Sequence, residues 1–219
     1  VFGVEALAGV RAADWLPAVA GFTIVAASIV ALRSDNLKRR LAYSTVSQLS
    51  YIVLAAALLT PLSVAAAALH IATHAVGKIT LFFAAGAIYT ASGKTEVSEL
   101  DGIGRRMPWT MAAFAIGALS ITGIPPFAGF LSKWMMFQGA AQAGNLTAIA
   151  VLALSTLLNA AYFLPIVYAA FWRSPREGDA PHGEAPWPSV VALTATAAAT
   201  VALPFAAAIP LALARAVAG

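Results

Sequence analysis

The chain has 219 residues, of which 61% are hydrophobic and 10% charged, against about 25% charged in an ordinary soluble domain, and this excludes a water-soluble globule. Its formal charge of +4 lies in small groups between hydrophobic runs, which excludes nucleic acid as the partner and leaves the lipid bilayer. Cysteine is absent, so disulfides, thiolate catalysis, iron–sulfur ligation and cysteine-bound zinc are excluded within this chain.

A helix needs about 20 apolar residues to cross the hydrocarbon layer, and six passes are predicted, at 15–33, 38–59, 62–92, 109–142, 146–172 and 187–216. They predict an all-α, polytopic transmembrane bundle forming a single domain over residues 1–219. The chain opens on Val1 in a loop-like stretch, and we expect a piece of a longer protein. Threading the passes puts Arg33, Lys38, Arg39, Arg40, Lys94, Arg105, Arg106, Arg173 and Arg176 on one side, against Arg11 and Arg215 on the other. By the positive-inside rule the loops at 34–37, 93–108 and 173–186 face the cytoplasm, as in a multi-pass protein of the cell inner (plasma) membrane.

The first pass is apolar apart from Thr23 and Ser28, and is expected only to pack. The second carries Ser44, Ser47, Gln48 and Tyr51 at i, i+3, i+4 and i+7, which share one helical face. Such a stripe either lines a water-filled entry path or hydrogen-bonds neighbouring helices, and both readings stay open. The third carries His70, His74 and Lys78 at i, i+4 and i+8, three titratable groups stacked over about 12 Å. A straight helix over 62–92 would be about 46 Å long, longer than the hydrocarbon layer, so it must tilt, break or emerge, with Gly77 as a weak point. The stretch 92–108 reads as a solvated connector without chemistry.

The fourth pass is interrupted by Gly123-Ile124-Pro125-Pro126. Neither proline has an N–H, so the carbonyls near Ile121 and Thr122 lose their usual partners and two half-helices follow. Broken helices at membrane depth are tolerated where they line a cavity. Lys133 lies about two turns beyond. The fifth pass has Asn159, Tyr162 and Pro165 near a possible kink. The sixth is alanine-rich and peripheral, and His182, in the loop before it, is solvated.

Of the 13 Lys and Arg residues, Lys78 and Lys133 alone fall in the interior of membrane-length segments, the others lying in loops or at their ends. An amine at mid-bilayer costs about 2.5 to 3.5 kcal/mol on insertion scales, and this points to ion or proton passage. Imidazole titrates near neutral pH, so His70, His74 and Lys78 read as a proton relay; the alternative is histidines tied to backbone carbonyls. For Lys133 the alternative is a side chain that snorkels to an interface. A zinc site on His70 and His74 lacks both a third ligand and a base, because all nine Asp and Glu residues fall outside the predicted helices. No metal and no cofactor are expected. The same deficit leaves Lys133 without a counter-charge in this chain.

LKRRLAYSTVSQLSY (37–51), HIATHAVGKITLFF (70–83) and GIPPFAGFLSKW (123–134) together resemble the antiporter-like membrane subunits. That family joins multisubunit (Mrp-type) cation/proton antiporters to the pumping subunits of respiratory complex I. The resemblance implies a fourteen-helix protein of two inverted repeats, of which this chain supplies the last six helices. It further implies a hydrated mid-membrane proton path through His70, His74, Lys78 and Lys133, with Gly123, Pro125 and Pro126 making the helix break and Ser44, Ser47, Gln48 and Tyr51 as channel lining. The partners so implied are the other subunits of a hetero-oligomeric complex, protons, and monovalent cations (Na⁺ or K⁺). The wording around Lys78 and through 86–109 is most similar to the D-type branch of the antiporter subunits, with a complex I-type pump as the alternative.

Overall fold

The computed structural model describes residues 12–175, 181–206 and 212. Among the described residues there are seven α-helices: α1 (Ala12–Arg33), α2 (Leu37–Ala57), α3 (Pro61–Ser92), α4 (Pro108–Thr122), α5 (Ala128–Gln142), α6 (Leu146–Trp172) and α7 (Trp187–Ala202). With α4 and α5 as halves of one broken pass, these are the six expected passes. Three of them, Trp15–Arg33, Pro61–Ser92 and Leu146–Trp172, are by length and composition long and apolar enough to cross a membrane. The fold is all-α and membrane-type.

Local chemistry sets the boundaries. Asn36 caps α2 by accepting from the Arg39 N–H at 3.0 Å, and Thr60 and Ser63 form a reciprocal capping box at the start of α3, which has Pro61 at its first position. Gly93, in the left-handed region, ends α3. Asn145 caps α6, which continues through Pro165 to Trp172.

The loops collect at two ends. At one, the Leu37 N–H donates to the Thr95 carbonyl and the Val97 N–H to that of Asp35, while Arg173 pairs with Asp101 at 3.2 Å. Glu184 takes the free N–H groups of Trp109 and Thr110, at 2.7 and 3.3 Å, and the Thr110 hydroxyl, so a carboxylate from a distant loop caps α4. The three loops 34–37, 93–108 and 173–186 therefore share one end, as the threading requires. At the other end the Thr60 hydroxyl donates to the Gly139 carbonyl.

Several expectations are corrected. Helix α1 begins at Ala12, so Asp14 lies inside it rather than before it. Gly77 is no weak point, because α3 is continuous over 32 residues; a side chain there would meet Ile121 at 3.0 Å, so this glycine lets α3 and α4 close together. The segment 92–108 is not simply solvated: it folds into two short 3₁₀ turns that bury Leu100, Ile103 and Met107 over the bundle end. Helix α7 stops at Ala202 and is followed by a turn at 203–206, so the sixth pass is interrupted there. The loop-like opening, Arg11, Arg176 and Arg215 lie outside the described residues.

Two apolar clusters form the core. One contains Leu37, Leu41, Leu81, Ile88, Met111, Phe114, Phe163 and Ile166 and lies towards the loop end just described. The other contains Ile24, Leu54, Leu69, Met136 and Leu152. In α1, α2, α3 and α6 the residues that fall between the clusters are Ser28; Ser44, Ser47 and Gln48; His70, Thr73, His74 and Lys78; and Ser155 and Asn159, all buried. A polar layer thus crosses the bundle at mid-depth.

Candidate functional site

Lys133 stands at the broken pass. Gly123 takes φ +89° and ends α4, its N–H and that of Ile124 satisfying the Leu119 and Ser120 carbonyls. The carbonyls of Ile121 and Thr122 would ordinarily receive the N–H groups of residues 125 and 126, which are prolines and have none. Lys133 takes their place: its Nζ donates to the Ile121 carbonyl at 2.8 Å and to that of Thr122 at 3.2 Å. Helical side chains slant towards the N-terminus, which brings an amine on the second turn of α5 back to the break. A Cβ at Gly123 would lie 2.9 Å from Lys133 Cδ, and one at Gly129 would collide with the Ser120 carbonyl. Both glycines are required for this approach. Lys133 is 4% exposed, so its amine turns inward and does not snorkel. The C-terminal carbonyls of α4 carry partial negative charge and act as a counter-charge that, among the described residues, no carboxylate supplies, and the face of Tyr51 lies 5.0 Å from Nζ.

His70 is next in the layer. Its Nε2 faces Gln48 Oε1 at 3.1 Å and its Nδ1 faces Ser132 Oγ at 2.9 Å. With Gln48 accepting, Nε2 donates; the neutral ring accepts at Nδ1 from the Ser132 hydroxyl, and the charged ring donates to it. Ser132 can turn its own proton to the Gly129 carbonyl at 3.2 Å. His70 can therefore gain or lose a proton without losing a hydrogen bond. Its ring stacks between those of Tyr51 and His74, each with centroids 6.0 Å away. Among the described residues His74 Nε2, Gln48 Nε2, Ser120 Oγ, Thr156 Oγ1 and Asn159 Nδ2 are buried with no protein partner, the kind of group that takes an ordered water.

Lys78, 5% exposed, points to α2, where its Nζ donates to Ser44 Oγ at 2.7 Å and to the Leu41 carbonyl at 3.1 Å. The ring of Phe163 lies 5.6 Å away. The polar stripe of α2 therefore faces the titratable groups directly: Ser44 meets Lys78, Gln48 meets His70, and Tyr51 lies between His70 and Lys133. Ser47 is set aside from them, bonded to Ser28 at 2.9 Å and Ser155 at 3.4 Å.

Sequence reasoning missed part of this layer. Ser28 sits in a helix expected only to pack, yet it joins α1 to α2 and α6 through Ser47 and Ser155. Asn159 and Tyr162 stand out in the sequence only for a nearby kink, yet the Tyr162 hydroxyl bonds both Asn159 and Ser44. The signal was available, since Ser155, Asn159 and Tyr162 stand at i, i+4 and i+7 in an otherwise apolar run. Arg40, expected at the solvated end, is buried and donates to the carbonyls of Ser34, Leu32 and Tyr162.

Residues 2–159 match the family model described as NADH:quinone oxidoreductase/Mrp antiporter, TM. The chain is 43% identical over 148 residues to the N-type subunit of NADH-quinone oxidoreductase from Desulforudis audaxviator, covering 68% of this chain and 30% of the relative. It is 34% identical over 154 residues to the D-type subunit of the Na⁺/H⁺ antiporter from Alkalihalophilus pseudofirmus, covering 70% and 31%. Among solved structures, the Mrp complex from Dietzia sp. DQ12-45-1b superposes over 95% of this chain and 47% of that one, with TM-score 0.87 at 24% identity. The chain thus spans less than half the length of each of these relatives.

Proposed function

The chain belongs to the NADH:quinone oxidoreductase/Mrp antiporter membrane family, and from that premise we propose that it carries protons across the cell membrane through His70, His74, Lys78 and Lys133. It does so as part of a multisubunit monovalent cation (Na⁺ or K⁺)/proton antiporter, in the manner of the D-type antiporter subunit, with the other subunits as its partners. The observation that carries the reading is the arrangement around the two amines. Both are buried in a polar layer between apolar cores, and both are held by neutral oxygens. Among the described residues no carboxylate fixes either amine in an ion pair; each is held by carbonyl and hydroxyl oxygens alone.

Lys133 and Lys78 mark the two flanks of the row, with His70 and His74 between them. Proton transfer along it requires only hydroxyl rotation, water and the swing of a four-carbon stem. The 43% identity to an N-type subunit of NADH-quinone oxidoreductase favours a second coupling, in which quinone reduction in a complex I-type assembly drives the same path.

The test is the intact complex in sealed vesicles with an internal pH dye. The antiporter reading expects proton flux on imposing a Na⁺ or K⁺ gradient, absent in Lys133→Ala. Flux only on supplying an electron donor and quinone would replace it with the second reading, and undiminished flux in Lys133→Ala would remove the lysine from either.

A further inference from the structure

Asn159 and Tyr162 lie on α6, outside the row of titratable groups, and are completely buried. The Tyr162 hydroxyl reaches two oxygens, Asn159 Oδ1 and, at 3.1 Å, Ser44 Oγ. Ser44 is in turn the closer of the two acceptors of Lys78, at 2.7 Å. From this geometry we infer that Tyr162 and Asn159 are positioning residues for Lys78, which set its protonation through the Ser44 hydroxyl; the inference deepens the proton-path reading and rests on it.

The chemistry follows from counting protons. A serine hydroxyl has one proton to give and two lone pairs, and an ammonium can only donate. While Lys78 is charged, Ser44 must accept from it, so the Ser44 proton turns to the Tyr162 oxygen and the Tyr162 proton turns to Asn159 Oδ1. When Lys78 gives up its proton, its nitrogen becomes an acceptor. Ser44 then donates to it, and Tyr162 swings its own proton from Asn159 to Ser44. In both states every hydroxyl proton has an acceptor and the Lys78 nitrogen a partner; Asn159 Oδ1 gives up its bond in the second, and Tyr162 changes between them by rotation about one C–O bond. Asn159 is the resting acceptor without which the charged state would strand the phenol proton in an apolar core.

The surrounding structure holds the pair still. Arg40 donates to the Tyr162 backbone carbonyl at 3.0 Å, the Tyr162 ring packs on that of Phe163 with centroids 4.7 Å apart, and Phe163 also covers Lys78. The charged and titratable groups that bear on Lys78 are His74 on α3 and Lys133 on α5 directly, and Tyr162 on α6 through Ser44, with Arg40 on α2 behind Tyr162. Of these, Tyr162 alone shares a hydrogen-bonded atom with it.

The experiment measures proton flux against pH for the intact complex in vesicles, in Tyr162→Phe, Ser44→Ala, the double variant and Lys78→Ala. Removing one bond to a charged group's acceptor is expected to lower flux about fivefold to tenfold and to displace the pH profile in Tyr162→Phe. Ser44→Ala, which removes the shared hydroxyl itself, is expected to displace it at least as far, and the double variant to be no worse than Ser44→Ala alone, because the two act as one unit. A merely structural tyrosine would lower the amount of assembled complex and leave the profile in place. Unmoved profiles in both single variants, or additive losses, would overturn the inference while leaving the proton path standing. Flux that survives Lys78→Ala would sink the path itself, and the inference with it.

Discussion

Lys133 and Lys78 lie in one polar layer and are buried to the same degree, but the fold holds them by opposite means. Lys133 is gripped by backbone: two carbonyls released by two prolines, at the negative end of a half-helix. Lys78 stands in an unbroken helix and is gripped largely by a side chain, Ser44, which is itself set by α6. The backbone cage is fixed in place once the helix breaks, whereas the hydroxyl cage can reverse its bonds by rotation. We read Lys133 as the station with a permanent docking point and Lys78 as the one whose hold is adjustable.

The largest disturbance of this contrast is expected from Gly123→Ala. A left-handed residue would gain a Cβ 2.9 Å from Lys133 Cδ, so the break must rearrange; flux in vesicles should fall more than about tenfold, since about 1.4 kcal/mol of misplacement suffices. Pro125→Ala is subtler and sharper. It removes one of the two residues that cannot donate to the freed carbonyls and lets the helix extend towards them in competition with Lys133, and flux should fall about threefold to tenfold, one hydrogen bond being worth about 1 kcal/mol. Equal sensitivity of Lys78-dependent and Lys133-dependent steps to that substitution would erase the distinction between the cages. The smallest effect is expected from Glu184→Gln at the far end of α4, where three bonds to a carboxylate become weaker ones. The thermal midpoint of the complex should drop by the few degrees that about 1 kcal/mol of capping produces, with flux little changed.

These two cages also show how much could be read in the sequence. Half of the carbonyl cage was legible, because prolines at 125 and 126 name the carbonyls four residues earlier that lose their donors; their partner was not, since spacing alone left Lys133 either snorkelling or without a counter-charge. Stripes on a single helix were legible too: 44, 47, 48 and 51 face inward together, as do 70, 74 and 78. The hydroxyl cage was not, because it joins residues 34 and 118 positions apart, and periodicity ranks faces within a helix without pairing faces between helices. Gly77 illustrates the same limit. Alone it reads as a flexible point, and only the approach of Ile121 shows that it serves packing. Segment 92–108 misled because its charges outnumber Leu100, Ile103 and Met107, which do the burying.

The central claim is that the amine at 133 exchanges protons within the membrane, and chemical rescue at that position, read against the parent complex treated alike, tests it directly. Proton flux would be measured for the intact complex carrying Lys133→Cys, before and after alkylation with 2-bromoethylamine, which rebuilds a lysine-like amine on that sulfur. The account predicts flux lost with the cysteine and regained on aminoethylation. Full flux with the cysteine unmodified would contradict it.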